Sequence, residues 1–121
     1  MNYRKRGMRI QRKLIIELQG KGFLVSKVEQ SGMYTKETDM WGLFDISCLR
    51  EDKVLMVQVT AGNNPHIHKH YVEFSMKYDL PCLCFEQWWW RPRIGWKVFE
   101  YSGGKYKVIR DDRKGQDKKN L

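Results

Sequence analysis

In the segment from Gly42 to Thr60, GLFDISCLREDKVLMVQVT, an aspartate opens one apolar run, and a glutamine and a threonine close the next. Alternate residues of a strand share a face, so Gln58 and Thr60 project together while Val57 and Val59 point the other way. Asp45, at the start of the paired strand, reaches the same end of the sheet. A carboxylate, an amide oxygen and the backbone carbonyl of Val59 make a set of hard oxygen ligands. A Mg²⁺ ion takes such a set along with several waters. An aspartate within LFDIS buries a charge unless something coordinates it. Gln58 and Thr60 have a plainer alternative, bridging neighbouring strands by hydrogen bonds.

Two further groups of residues have chemical potential. His66 and His70 stand four apart on the flank that carries Glu73 and Lys77, where an imidazole meets a phosphate or a proton. The alternation His66, His68, His70 does not converge on a helix, so neutral surface side chains are the competing reading. Trp88, Trp89 and Trp90, followed by Arg91, Pro92 and Arg93, cannot all turn inward from a strand, because neighbours alternate faces. The sequence therefore predicts that at least one indole stays exposed or meets a partner, through a protein interface or by stacking on splayed bases. Packing beneath the last hairpin is the alternative.

The elements that must position these residues follow from periodicity. Ile10, Leu14 and Leu18 repeat every fourth residue in a Lys/Arg-rich segment that stops at Gly20 and Gly22, as an amphipathic helix does. FLVSKV alternates as a strand. LFDISCLR and KVLMVQVTA form a hairpin across Glu51 and Asp52, its second member apolar on both faces and so central in the sheet. Asn64 and Pro65 signal a helix start, and Ile67, Tyr71, Phe74 and Tyr78 share one face of a helix running to about Asp79. PCLCFEQWWW is a further strand, and WKVFEY and KYKVIR form a terminal hairpin across Gly103 and Gly104. The order predicts an α/β domain over 1–110, a mixed sheet flanked by helices with an added C-terminal hairpin, and a basic disordered tail over 111–121.

A chain of 121 residues is the usual size of one domain. Cys48, Cys82 and Cys84 fit neither a disulfide framework nor a paired zinc motif, so reduced thiols are expected. With no apolar run near the roughly 20 residues a bilayer span requires, and no secretory-type apolar segment near the start, the expected setting is cytoplasmic, without a membrane. The formal net charge of +9, clustered toward both ends, suits a polyanion, with nucleic acid the leading partner. A basic face kept only for solubility is the bland alternative.

The residues from Arg4 to Glu86 resemble the PD-(D/E)XK, or restriction-endonuclease-like, nucleases, and among them the small archaeal-type Holliday-junction resolvases. In that family a helix glutamate, an aspartate opening the second strand and an (Asp/Glu)-x-Lys triplet ending the third strand form the catalytic site. Glu17 matches the first, Asp45 in GLFDI the second, and Gln58, Val59 and Thr60 occupy the triplet. The resemblance implies an αβββαβ core and a Mg²⁺- or Mn²⁺-dependent DNA endonuclease, working as a homodimer on double-stranded or branched DNA. Asp45, Gln58 and the Val59 carbonyl would hold the metal, joined by Glu17 directly or through water. An amide in place of the acid brings one negative charge fewer. Threonine in place of lysine removes the ammonium that orients water and stabilises charge on the phosphate. Lys69 and Lys53 are the candidate substitutes, Lys53 at the far end of its strand and Lys69 away from the apolar face of its helix. Arg4, Lys5, Arg6, Arg9, Arg12, Lys13 and Lys69 would track phosphates. A DNA-binding or protein-interaction module that keeps this scaffold without cutting is the alternative.

Overall fold

The computed structural model describes residues 3–27, 44–61 and 68–113, with side chains described for 8–27, 44–61 and 69–113. Helix α1 (Tyr3–Gly20) buries the stripe of Ile10, Leu14 and Leu18 against the sheet. It ends in two bonds, Phe23 N–H to the Leu18 carbonyl and Gly22 N–H to the Gln19 carbonyl. This is the Schellman closure, and it requires the left-handed backbone that Gly22 supplies at φ 91°. Phe23 then packs with Leu18 in the same core cluster.

Six strands follow: β1 (Leu24–Lys27), β2 (Ile46–Arg50), β3 (Lys53–Ala61), β4 (Leu83–Arg91), β5 (Gly95–Ser102) and β6 (Lys105–Asp111). They lie side by side in chain order in one sheet. Only β3 and β4 pair in parallel. A parallel neighbour requires a crossover, and α2 (His68–Lys77) lies between these two strands in the chain. Among the described residues the architecture is α/β, a mixed sheet with two helices. The hairpin across Glu51 and Asp52 and the central place of β3 are as the sequence predicts. Helix α2 ends two residues before Asp79, and its expected start at Asn64 and Pro65 lies outside the described residues.

Alternation divides the side chains of the sheet between two cores. On the α1 face, Ile46, Cys48, Leu55, Val57, Trp88, Trp96 and Val98 pack with the helix stripe. On the α2 face, Met56, Phe85, Phe99 and Tyr101 pack with Phe44 and Tyr71. Phe44 stacks on Phe85 at 5.3 Å, and Phe74 meets both rings edge-on. Among the described residues, no helix is long and apolar enough to cross a membrane.

The C-terminal boundary lies further on than 110. Asp111 closes β6 and receives Arg91 at 2.8 Å. Asp112 accepts the Trp96 N–H at 2.7 Å and pairs with Arg110. Two charged residues expected in the tail are thus anchored by buried donors on β4 and β5. Gly95, at φ 115°, leaves room for this, since a Cβ there would overlap the Asp112 carboxylate.

Candidate functional site

Strand β2 begins at Ile46, which pairs with Val57. One residue earlier the chain bends, and the Asp45 N–H still reaches the Val57 carbonyl at 2.9 Å. At the next ladder position the donor of β3, the Val59 N–H, is taken by the Asp45 carboxylate, Oδ2, at 2.9 Å. The side chain substitutes for the backbone acceptor that a longer β2 would bring. The half-buried carboxylate is therefore seated at the Gln58–Val59 peptide. In a strand the N–H and C=O of one residue point to the same side, so the Val59 carbonyl faces the same edge. Gln58 is half-buried and follows Val57, the residue that Ile46 faces and whose carbonyl takes the Asp45 N–H.

Thr60 is buried and lies on the α2 face. Its hydroxyl accepts a hydrogen bond from Gln87 Nε2 at 3.1 Å, and Gln87 Oε1 accepts one from the Tyr101 hydroxyl at 2.8 Å. Three adjacent strands are thereby joined by a polar chain within an apolar layer, and Gln87 has no solvent exposure. Burial raises the Tyr101 phenol above its ordinary range and keeps it a donor. Where the resembled family carries a cation, this protein has a neutral hydroxyl held by a neutral amide. Neither Gln87 nor Tyr101 stands out in the sequence. The parallel register, Gln58 beside Gln87 and Thr60 beside Trp89, is what brings them to the site.

Glu17 pairs with Arg110 of β6, on the α1 face. Between Val98 and Phe99 the β5–β6 register slips, leaving Ile109 unmatched. Such a bulge re-aims the residues beside it, and Arg110, opposite Val98, lies on the helix side. Of the residues matched to the catalytic motif, Asp45, Gln58, Val59 and Thr60 lie toward one end of β3, and Glu17 is engaged with Arg110. Among the described residues, no group of three or more His, Cys, Asp or Glu side chains is gathered for a metal ion. The Asp45 carboxylate, the Gln58 amide oxygen and the Val59 carbonyl are donors of the kind that a hard cation takes while keeping most of its waters.

The remaining candidates separate by exposure. Arg9, Arg12 and Lys13 are exposed on α1, as are Lys69 and His70 on α2. Arg4, Lys5 and Arg6 lie in α1 with side chains outside the described set, and His66 lies outside the described residues. Lys53 begins β3, its ammonium 5.5 Å from the Phe23 ring, at the opposite end of the strand from Thr60.

The tryptophan triplet needs correction. Trp88 is a core residue on the α1 face, 2% exposed, with its indole N–H given to Glu86 at 2.9 Å; it offers no interface. Arg91 is buried, bonded to Asp111 and to the Trp96 carbonyl. Trp89 and Trp90 are half-buried on opposite faces, and Arg93 is exposed. Neighbouring indoles take opposite faces of a sheet that has a core on each side, so Trp88 lies within the α1-side core while Trp90 and Trp89 pack only partly against the two cores.

Glu86 is a second buried acid, and nothing in its sequence neighbourhood marks it. Burial pushes its carboxyl above the ordinary range, against the Trp88 N–H and Lys53, which favour the anion. Burial, then Glu86, pushes the Cys48 thiol up to about 12, so that cysteine stays a protonated core residue. A raised folded pKa contributes stability that is complete below the unfolded value, about 4.3, and is lost as pH rises through the folded value. Glu86→Gln keeps the acceptor for Trp88 and removes the charge. It is expected to stabilise the protein more at pH 8 than at pH 4, as read by urea unfolding at the two pH values.

No protein-family model matches this chain, and no curated protein matches it in sequence.

Proposed function

We propose that the protein is a metal-dependent endonuclease-like domain, resolvase-like in its element order, acting on double-stranded or branched DNA as a homodimer. The observation that carries this reading is the Asp45 carboxylate seated at the Gln58–Val59 peptide. An acid at a strand head, beside an amide and a backbone carbonyl, is a donor set for Mg²⁺ or Mn²⁺. Asp45, Gln58 and the Val59 carbonyl would hold the ion, which when bound supplies Lewis acidity toward a phosphate and a more acidic water. The chain's own residues do the rest. Asp45 brings the negative charge, and the Asp45–Val59 bond fixes where that charge stands. The exposed Arg9, Arg12 and Lys13 of α1 hold the phosphate backbone with little regard to sequence. Thr60 provides a hydroxyl and no cation, so a slow enzyme is expected.

A second reading has its own support. The Thr60 hydroxyl is enclosed by Gln87 in a buried network, which suits a binding module on the same scaffold that grips DNA without cutting it. Purified protein incubated with plasmid, linear and four-way-junction DNA, in Mg²⁺, Mn²⁺ or EDTA, separates the two: metal-dependent cleavage is expected, and binding without cleavage supports the module. In either case, replacing Arg9, Arg12 and Lys13 by alanine is expected to weaken binding evenly across sequences. It should also reduce the salt slope of the affinity by about one for each phosphate that is no longer neutralised. Unchanged affinity and slope would remove DNA as the partner of α1.

A further inference from the structure

At the turn between β4 and β5, on the α1 face, a groove of about 450 Å³ is lined by Lys13, Glu17, Trp90, Arg93, Trp96 and Arg110, among others. Its volume is that of sites which accept small ligands. Trp90 is half-buried and is held by Trp96, ring centroids 4.9 Å apart in an edge-on contact. Over the indole lies the Lys13 ammonium, 4.5 Å from the ring centroid. One face of Trp90 is thus turned to an exposed, movable cation of α1 and not to the core. The two acids in the groove, Glu17 and Asp112, share Arg110, and Lys13 and Arg93 tip the balance of the lining to positive. A flat aromatic wall with cations on its rim is what a nucleobase and its flanking phosphates require.

The position agrees with that chemistry. Trp90 pairs with Ala61, the residue after Thr60, so the groove opens at the end of the sheet where Asp45 meets β3. The exposed Arg9 and Arg12 lie up to one turn earlier on the helix that supplies Lys13. Resting on the DNA-binding reading above, we propose that this groove receives an unpaired nucleobase, which stacks on Trp90 while Lys13 leaves the ring for a neighbouring phosphate and Arg93 holds another. Bases inside an intact duplex have both faces covered by their neighbours. The preferred substrate is therefore DNA carrying an unpaired nucleotide, at a bulge or a frayed branch.

The test uses the full chain, in EDTA to prevent cleavage, with two duplexes of equal length: one fully paired, one carrying a single 2-aminopurine bulge. The bulged duplex is expected to bind about 10-fold more tightly, within the range that base–aromatic stacking supplies, with quenching of the 2-aminopurine emission. Trp90→Leu should remove both the preference and the quenching while leaving affinity for the paired duplex within about twofold, since the phosphates carry that affinity. Trp90 also touches the core, so two rim variants keep the test independent of folding. Arg93→Gly suits the backbone at φ 67°, and Lys13→Gln removes an exposed charge. Each should lower the preference without moving the thermal unfolding midpoint. Equal affinity for the two duplexes, or a preference that survives Trp90→Leu in folded protein, overturns the groove proposal and leaves DNA binding standing. Binding to neither duplex overturns both.

Discussion

Asp45→Asn is expected to fold and to bind DNA like the parent, yet to lose Mg²⁺-dependent cleavage by about 100-fold or more. Altering even the partners of metal ligands costs roughly 10–100-fold in metal affinity or activity, and this change touches the proposed ligand itself. The asparagine carbonyl still accepts the Val59 N–H that the carboxylate accepts at 2.9 Å. What disappears is the formal negative charge of the Asp45–Gln58 set. Asp45→Ala removes the acceptor as well, leaving the Val59 N–H without this partner at a cost of about 1–3 kcal/mol. The pair of variants therefore separates two roles of one side chain, closing the β2–β3 ladder and holding a cation. Plasmid nicking measures the second, and urea unfolding the first. Full cleavage by a folded Asp45→Asn protein would remove Asp45 from the chemistry.

Gln87→Leu is expected to be the most destabilising single change at the site, by about 2–5 kcal/mol, because it strips two buried hydroxyls, those of Thr60 and Tyr101, of one partner each. The side chain it replaces has no exposure and bridges β3 to β5. Leucine fills similar volume, so the loss is polar and not a cavity. Combining Gln87→Leu with Thr60→Val and Tyr101→Phe removes every member of the chain together and should recover much of the loss. Thr60→Lys, which returns a lysine to the position it occupies in the resembled family, is expected to destabilise too, since an ammonium would enter this enclosed layer. Urea midpoints of the four proteins decide the point. A Gln87→Leu midpoint equal to that of the parent would mean that the network bears no stability.

The elements are legible in the sequence because their signals are local. The Ile10, Leu14, Leu18 repeat, the two glycines after it and the KVLMVQVTA run each carry their own periodicity, and β3 matches its predicted span residue for residue. The head of β2 is legible for a related reason: an acid among apolar residues requires a partner, and the Val59 N–H is one. What local pattern does not contain is pairing between distant segments. Glu17 and Arg110 are 93 residues apart, and they meet through a register slip that leaves no mark in composition. Gln87 resembles a polar interruption of a strand until β5 brings Tyr101 to it. The charges of Asp111 and Asp112 suggest a solvated tail, whereas Arg91 and the Trp96 N–H hold them. Trp88 is a surface candidate only if the sheet has one core, and this sheet has two.

The central claim, that Asp45 and Gln58 hold a divalent cation at the end of β3, is tested most directly by titrating the protein with Mn²⁺ and following the free aqua ion by electron paramagnetic resonance, for the parent and for Asp45→Asn. The account predicts one saturable site per chain, weakened in the variant and competed by Mg²⁺. Identical binding curves for the two proteins, or no saturable site in the parent, would contradict it.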